Sequence, residues 1–396
     1  MYNFMAAFVL CGLVVIIGEV VSRITRAWVP SVFVSAVILL AGYWTVIPKE
    51  LVTDSKLIPF GATVGMFIVI THMGTVISLK ALLSQWKTVV LCVTGLAGMC
   101  AGCWYLGPLF MEKTLIIAGL PPLTGGIVAA TMMQNAAQNA GLTTAAVFAI
   151  SMYCIQGFAG YPLTAICLKR ESDALIREFR SGAAGMSSAA DLQAVADVTK
   201  LPEERHGILT IPERWNSPIL ILTKLGIVAW AAMLMGSWTG ISGAIWALVL
   251  GVIFNTLGFL DTNALNKANS YQITVFALMM FIFDGLKDCT PEMLIQIAFP
   301  MVMLIVTGLL GMAVAGWAAC KVLRVSPWLG FSNCLTALYG FPFNAIITES
   351  LCEEVGKTKE EREFLMSRLF PSMIVGGFTT VTITSVVIAG IFSKML

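Results

Sequence analysis

The chain has 396 residues, of which 58% are hydrophobic and only 12% are charged, and its mean hydropathy is +0.87. Soluble proteins carry about 45–50% apolar and about 25% charged residues, so the composition excludes an ordinary soluble domain and predicts an all-α polytopic membrane protein. The net charge of +2 excludes the strongly basic class that binds nucleic acid, and two His with ten scattered Cys indicate no metal site or cofactor.

Apolar stretches of about 20 residues, the length that crosses a bilayer, mark ten predicted transmembrane helices. The first stretch lacks a basic start and a cleavage site, so we expect a retained helix rather than a signal peptide. In chain order, the predicted spans are 4–22, 29–47, 58–79, 88–111, 145–168, 217–237, 239–260, 270–287, 295–320 and 365–392.

Two apolar stretches remain, 115–143 and 326–350, and both are interrupted by Gly or Pro. We predict that each is a re-entrant hairpin, which enters the membrane and returns to the same side. Amides inside such a segment are costly unless they face protein or a watery cavity. Six residues of the first hairpin recur 205 positions later: Pro122, Gly125, Thr131, Asn139, Ala140 and Thr143 match Pro327, Gly330, Thr336, Asn344, Ala345 and Thr348.

A second match flanks the same hairpin. Residues 93–104 and 306–317 are identical at seven of twelve positions. The chain therefore divides into a first repeat at 1–168, a linker at 169–216 and a second repeat at 217–396. Because five spans per repeat is an odd number, the two repeats have opposite orientation, which is the inverted-topology layout of many transporters.

Basic residues favour the cytoplasm and so predict the orientation of the spans. With both termini outside, 19 of the 24 Lys and Arg residues fall inside, including all seven in the 169–216 linker, and five fall outside. If either hairpin crossed the membrane completely, the sides after it would be exchanged. The lopsided distribution therefore favours hairpins that do not cross.

The predicted site lies where the hairpin tips meet, near residues 132–138 and 337–343. The second helix of each hairpin would point its positive N-terminus at the tip, where it could hold a carboxylate without Arg, and unwound carbonyls could hold Na⁺. Asn139 and Asn344 are expected to open these second helices, within roughly 15 Å of each other. The substrate-binding candidates are Thr131, Gln134, Asn135, Gln138, Asn139, Tyr339, Gly340, Asn344 and Thr348.

Ionisable residues inside other spans are candidates for ion coupling, together with Asn139 and Asn344. His72 lies in the third span and Asp284 in the eighth. Each also has a structural interpretation. His72 could be a neutral hydrogen-bonding group between helices, and Asp284 could pair with Lys287 near the outer surface.

The second hairpin carries a family resemblance. Its run Gly340-Phe341-Pro342-Phe343-Asn344-Ala345-Ile346, followed by Glu353-Glu354-Val355-Gly356, is similar to the second hairpin of the bacterial sodium/glutamate symporters. The layout of the whole chain also resembles that family, although residues 133–139 replace its Gly-Gly-His-Gly run in the first hairpin. The resemblance implies a bacterial inner-membrane homodimer with Na⁺ coupling, an elevator-like motion and a small organic anion, such as glutamate or another carboxylate, as substrate.

Three alternatives stay open. The first is an H⁺-coupled carboxylate transporter or exporter, and the second is a channel. The third is an intramembrane serine protease, because residues 240–243 match the Gly-x-Ser-Gly form, with Ser242 as nucleophile and His72 as base. Small residues at a helix start explain that motif without catalysis. We therefore expect no enzyme activity.

Overall fold

The computed structural model describes residues 3–25, 31–76, 83–181, 217–240, 242–340 and 343–396. Every regular element within these ranges is helical, which confirms the predicted all-α class. The first part of the chain contains α1 (Phe4–Ile24), α2 (Ser31–Thr45), α3 (Leu51–Asp54), a π-helical turn (Phe60–Gly65) that continues into α4 (Met66–Val76), α5 (Trp86–Leu106), a 3₁₀ turn (Gly107–Leu109), α6 (Lys113–Leu123), α7 (Ile127–Asn139), α8 (Thr143–Ile155) and α9 (Gly157–Arg180).

The second part of the chain also contains both long and short helices. It contains α10 (Pro218–Thr239), α11 (Gly243–Thr256), α12 (Ala264–Lys267), α13 (Tyr271–Asp284), α14 (Pro291–Leu323), α15 (Pro327–Leu335) with a following 3₁₀ turn (Thr336–Leu338), α16 (Phe343–Val355), α17 (Lys359–Gly377), a π-helical segment (Phe378–Thr384) and α18 (Ser385–Phe392).

Six helical stretches of the described chain are long and apolar enough to cross a membrane, so the protein is a multi-pass membrane protein. They are Phe4–Val21, Trp86–Leu109, Thr143–Arg180, Pro218–Thr239, Pro291–Leu323 and Lys359–Phe392. The other four predicted spans coincide with shorter apolar helices, Ser31–Thr45, Phe60–Val76, Gly243–Thr256 and Tyr271–Asp284. Helix α9 continues beyond residue 168 to Arg180, so the predicted linker begins as helix. Residues 182–216 of that linker lie outside the described ranges.

The third predicted span joins two groups of helices. Its π-helical turn packs on α13, where a Cβ added to Gly61 would lie 2.1 Å from the Ala277 carbonyl oxygen. Helix α4 packs instead on α10 and α11, where a Cβ on Gly74 would lie 2.7 Å from the Leu248 carbonyl oxygen. Helix α13, from the second part of the chain, thus packs with helices of the first part, and α4 packs with helices of the second.

Glycines let α5 and α14 cross in close contact. A Cβ on Gly98 would lie 2.5 Å from the Gly311 carbonyl oxygen, and a Cβ on Gly311 would lie 2.1 Å from the Gly98 carbonyl oxygen. Small residues allow backbones to approach in this way, which is a common basis of helix association in membranes. The two glycines occupy the same position within the matching stretches 93–104 and 306–317.

Gly98→Leu should destabilise the protein, since the new side chain would meet the Gly311 backbone and the Ala315 methyl group. Overpacking of this kind costs about 1–3 kcal/mol. We expect a lower Tm for the purified protein in detergent. Gly226→Leu in α10 is the matched control, because a Cβ there has no atom within 4 Å. Equal Tm values for the two variants would refute the role of the crossing.

Candidate functional site

The first helix break lies at Thr124–Gly126, between α6 and α7. Gly125 and Gly126 have φ values of +113° and +89°, a region that L side chains rarely adopt, so glycine is needed there. The predicted tip at residues 132–138 is therefore wrong, because these residues are helical within α7. The amides do not open the helix. Gln134 donates from Nε2 to the Phe281 carbonyl oxygen at 3.2 Å, and its Oε1 is buried with no partner among the described residues.

The amides at residues 134–139 lie away from the first helix break. Asn139 is the last residue of α7 rather than the first residue of a second arm, so the predicted role of Asn139 is wrong. At 1.5 Å per residue, it lies about 20 Å along the helix from Gly126. Gln138 and Asn139 are exposed and Asn135 is half-buried. Thr131 is buried beside its own backbone, with Oγ1 donating to the Ile127 carbonyl oxygen at 2.8 Å.

The second break follows the 3₁₀ turn Thr336–Leu338 and contains Gly340 at φ +67°. Helix α16 begins at Phe343, and residues 341–342 of the predicted tip lie outside the described ranges. The predicted helix break near Gly340 and the place of Asn344 in the first turn of the helix that follows it are confirmed. Asn344 is fully buried, and its Nδ2 donates to the Met373 carbonyl oxygen in α17 at 2.8 Å.

The two breaks meet at Val381, in the π-helical segment that precedes α18. A Cβ on Gly125 would lie 2.2 Å from the Ala337 carbonyl oxygen and 2.9 Å from Val381 Cγ2. A Cβ on Gly126 would lie 3.0 Å from the Val381 carbonyl oxygen, and one on Gly340 would lie 2.9 Å from Val381 Cγ2. We name this meeting point of Gly125, Gly126, Ala337, Gly340 and Val381 the break junction.

Two neutral hydroxyl groups come from residues directly next to the break junction in the chain. Thr336 Oγ1 and Thr380 Oγ1 lie 3.3 Å apart, and both side chains are fully buried. Each hydroxyl has a nearby carbonyl acceptor: Asn333 O lies 2.6 Å from Thr336 Oγ1, and Gly376 O lies 2.9 Å from Thr380 Oγ1. When the hydroxyls donate to these carbonyls, their oxygens turn lone pairs towards each other. The π-helical geometry itself is rare and occurs mostly as short segments at functional sites.

An aromatic pair joins α9 to the second break. Tyr161 stacks on Tyr339 with ring centres 4.9 Å apart, and Tyr339 donates its hydroxyl to Thr164 Oγ1 at 2.9 Å. The Tyr161 hydroxyl is buried and has no hydrogen-bond partner among the described residues. Sequence reasoning missed Tyr161, Thr164, Thr380 and Val381. Only the run Phe378–Thr384, which is rich in β-branched polar residues, offered a signal.

The ionisable candidates lie elsewhere. Asp284 forms an ion pair with Lys287 at 2.9 Å and accepts from Thr53 Oγ1 at 3.4 Å. This geometry matches the structural alternative for Asp284. His72 packs against Tyr271, with ring centres 5.4 Å apart, on the face of α4 that contacts the start of α12. Neither residue is among the contacts that form the break junction.

His72 is expected to be structural rather than ion-coupling. Its Nδ1 accepts the Leu265 N–H at 3.3 Å, which places the ring proton on Nε2 in a neutral tautomer. In His72→Asn, the amide oxygen can replace Nδ1, and we expect near wild-type Tm and uptake. His72→Leu leaves the buried N–H unpaired, at a cost of about 1–3 kcal/mol, and should lower the Tm. A stable His72→Asn protein that has lost ion-driven uptake would show that the imidazole itself is required.

Asn139 and Asn344 occupy different places in the helices that follow the two breaks. Asn139 is the last of the 13 residues of α7, whereas Asn344 is the second of the 13 residues of α16. No protein-family model matches the chain, and no curated protein matches it. The resemblance to the sodium/glutamate symporters stays a prediction.

Proposed function

We propose that this protein is a secondary active transporter for a small organic anion, such as an amino acid or another carboxylate, driven by Na⁺. The observation that carries the proposal is the break junction, at which two interrupted helices and a π-helical segment meet inside an apolar bundle. Irregular backbone at membrane depth is tolerated where it is buried in protein or lines a cavity, and transporters place their binding sites at such breaks.

The proposal includes an inverted-topology repeat with two re-entrant hairpins. Three features support it. The second arms of the hairpins have equal length, the third span of each half packs on helices of the other half, and α5 and α14 cross at glycines in matching positions. Two repeats related by a pseudo-two-fold axis would bring equivalent positions together at such a crossing.

An anionic substrate fits the helix starts at the junction. Helix α7 begins at Ile127 and has no side-chain cap, so its first N–H groups and its positive dipole end face the break. Helix α16 begins three residues after Gly340, whose Cβ position lies 2.9 Å from Val381 Cγ2. Two such ends could bind a carboxylate without an Arg or Lys side chain. The residues that define the junction are all uncharged.

Sodium coupling fits the oxygen atoms next to the junction. Hard cations prefer oxygen ligands, and the facing Thr336 and Thr380 hydroxyls supply two. Asn333 precedes Thr336 by three residues, about one helical turn. Its side-chain oxygen is buried and has no partner among the described residues. Titratable groups that would form a proton relay are not part of this cluster, so Na⁺ is favoured over the H⁺-coupled alternative.

The intramembrane protease alternative is not favoured by the surroundings of Ser242. Its Oγ caps α11 by accepting the Ala244 N–H at 3.3 Å. His72 Nδ1, the atom that would act as a base, accepts the Leu265 N–H instead. Both side chains therefore have structural partners.

Uptake by purified protein in liposomes tests the proposal. Labelled glutamate and other small carboxylates would be offered with an inward Na⁺ gradient, and separately with an inward H⁺ gradient in K⁺ buffer. We expect saturable accumulation above the outside concentration with Na⁺ alone. Accumulation that follows only the H⁺ gradient would reject sodium coupling, and equilibration without accumulation would indicate a channel.

A further inference from the structure

A cleft of about 630 Å³ lies away from the break junction, at the C-terminal end of α9. One wall is α9, and the other is formed by the start of α15 and the end of α16. The cleft therefore borders the two ends of the second interrupted helix that lie away from its break. Its lining residues are Lys169, Arg170, Asp173, Ala174, Ile176, Arg177, Arg180, Trp328, Glu354, Val355 and Lys357.

The charge of the cleft is strongly positive. Five of its lining residues are basic and two are acidic. Lys169 pairs with Glu354 at 3.0 Å, and Arg180 forms two hydrogen bonds with Glu361, at 2.8 and 3.1 Å. These pairs leave Arg170, Arg177 and Lys357 against the single carboxylate of Asp173, an excess of two positive charges, and all four side chains are exposed.

The charged side chains of α9 that line the cleft form one stripe along the helix. Lys169, Asp173, Arg177 and Arg180 are three or four positions apart, which places them on the same helical face, with one carboxylate among three basic groups. The opposite side of α9 is fixed by a buried apolar cluster with α16 and α17, in which Leu168, Leu351 and Leu365 take part. The stripe is therefore held in place rather than carried on a free tail.

Tryptophans indicate that the cleft lies at the boundary between bilayer and water. The Arg170 guanidinium carbon is 4.4 Å from the ring centre of Trp328. Trp328 in turn meets Trp317 edge-to-face at 6.3 Å, and Trp317 is 52% exposed on the outer face of α14. Trp residues concentrate at the headgroup level of membranes. Basic residues beside such a belt lie where lipid phosphate groups are found.

We propose that this cleft binds a phosphate group, supplied by the headgroup of an anionic phospholipid. Basic pockets between membrane helices bind such headgroups, and Arg side chains bind phosphate oxygens through charge-assisted hydrogen bonds. The bound headgroup contacts α9 through Arg177 and the end of α16 through Lys357. The headgroup therefore bridges α9 and the C-terminal end of α16, and it stabilises the packing of α16 against α9.

The test uses the full-length protein purified in detergent, with phosphatidylglycerol, phosphatidylcholine or inorganic phosphate added separately. The cleft variant is Arg177→Gln with Lys357→Gln. The control variant is Lys87→Gln with Lys321→Gln, which removes the same charge from exposed positions outside the cleft. Tm reports stabilisation, and native mass spectrometry counts the lipids that remain bound.

Phosphatidylglycerol should raise the Tm of the wild type and of the control variant more than phosphatidylcholine does. The cleft variant should lose this difference and retain one phosphatidylglycerol fewer per chain. High salt should weaken the effect, as expected for exposed charges. An equal rise with inorganic phosphate would keep the phosphate site but assign it to a soluble ligand. Equal responses of the cleft and control variants would overturn the proposal.

Discussion

Gly125→Ala should reduce uptake at least tenfold, because the added methyl group would meet the Ala337 carbonyl oxygen at 2.2 Å and force the two helix breaks apart. A carbonyl of the backbone cannot turn aside as a flexible side chain can. The φ of +113° adds strain of about 1–3 kcal/mol for a non-glycine residue. A tenfold change in rate corresponds to about 1.4 kcal/mol, so either effect is large enough to be measured.

Gly141→Ala separates the two effects. Gly141 also has a positive φ, +73°, but a Cβ there has no atom within 4 Å. It lies in the turn between α7 and α8, the full length of α7 away from the break. Backbone strain should lower the Tm of this variant, but no contact at the breaks is disturbed, so we expect uptake by the folded protein within about twofold of wild type. If both alanine variants lose uptake equally, the contact between the breaks is not what transport needs.

Asn344→Leu should abolish uptake, whereas Asn139→Leu should leave it nearly unchanged. Asn344 is buried, and leucine would remove its hydrogen bond to the Met373 carbonyl oxygen, at a cost of about 0.5–1.5 kcal/mol. The branched side chain would also crowd Gly377, whose Cβ position lies 2.3 Å from Asn344 Nδ2. Asn139 is exposed at the end of α7, and surface substitutions usually stay within about 0.5 kcal/mol.

Stability and transport can be read separately for these variants. Asn344→Ala removes the amide without adding bulk or charge, so its Tm reports the loss of the hydrogen bond to Met373 together with the small cavity left behind. Substrate-induced changes in Tm then show whether a folded variant still binds. Equal loss of uptake in Asn344→Leu and Asn139→Leu would contradict the asymmetry and restore Asn139 to the site.

Composition and local pattern determined the class of this protein. A chain with 58% hydrophobic residues and apolar stretches of bilayer length has few alternatives to a helical bundle in the membrane, since every backbone polar group must be satisfied inside its own helix. The second helix break was equally local. Gly340 has a positive φ, and the Pro that follows in the sequence cannot continue a hydrogen-bonded helix.

The first break could not be located from the run of amides, because the cost of a buried amide depends on its partner. The Gln134 Nε2 donates to the Phe281 carbonyl oxygen, 147 positions away in the sequence, while its Oε1 is buried without a partner among the described residues, and α7 stays helical where the sequence indicated a tip. The chain opens instead at Gly125 and Gly126. These glycines were visible in the sequence, but their need for positive φ and for space was not.

The convergence of the two breaks was decided only by the tertiary structure. Gly125, Gly340 and Val381 come from three distant parts of the chain, and no local periodicity links them. Their contact depends on how α5 and α14 cross, how α17 turns into the π-helical segment, and which carbonyl each glycine approaches. Local sequence can specify where a helix breaks, because that is a property of one backbone. Which breaks share a site is set by the packing of the whole bundle.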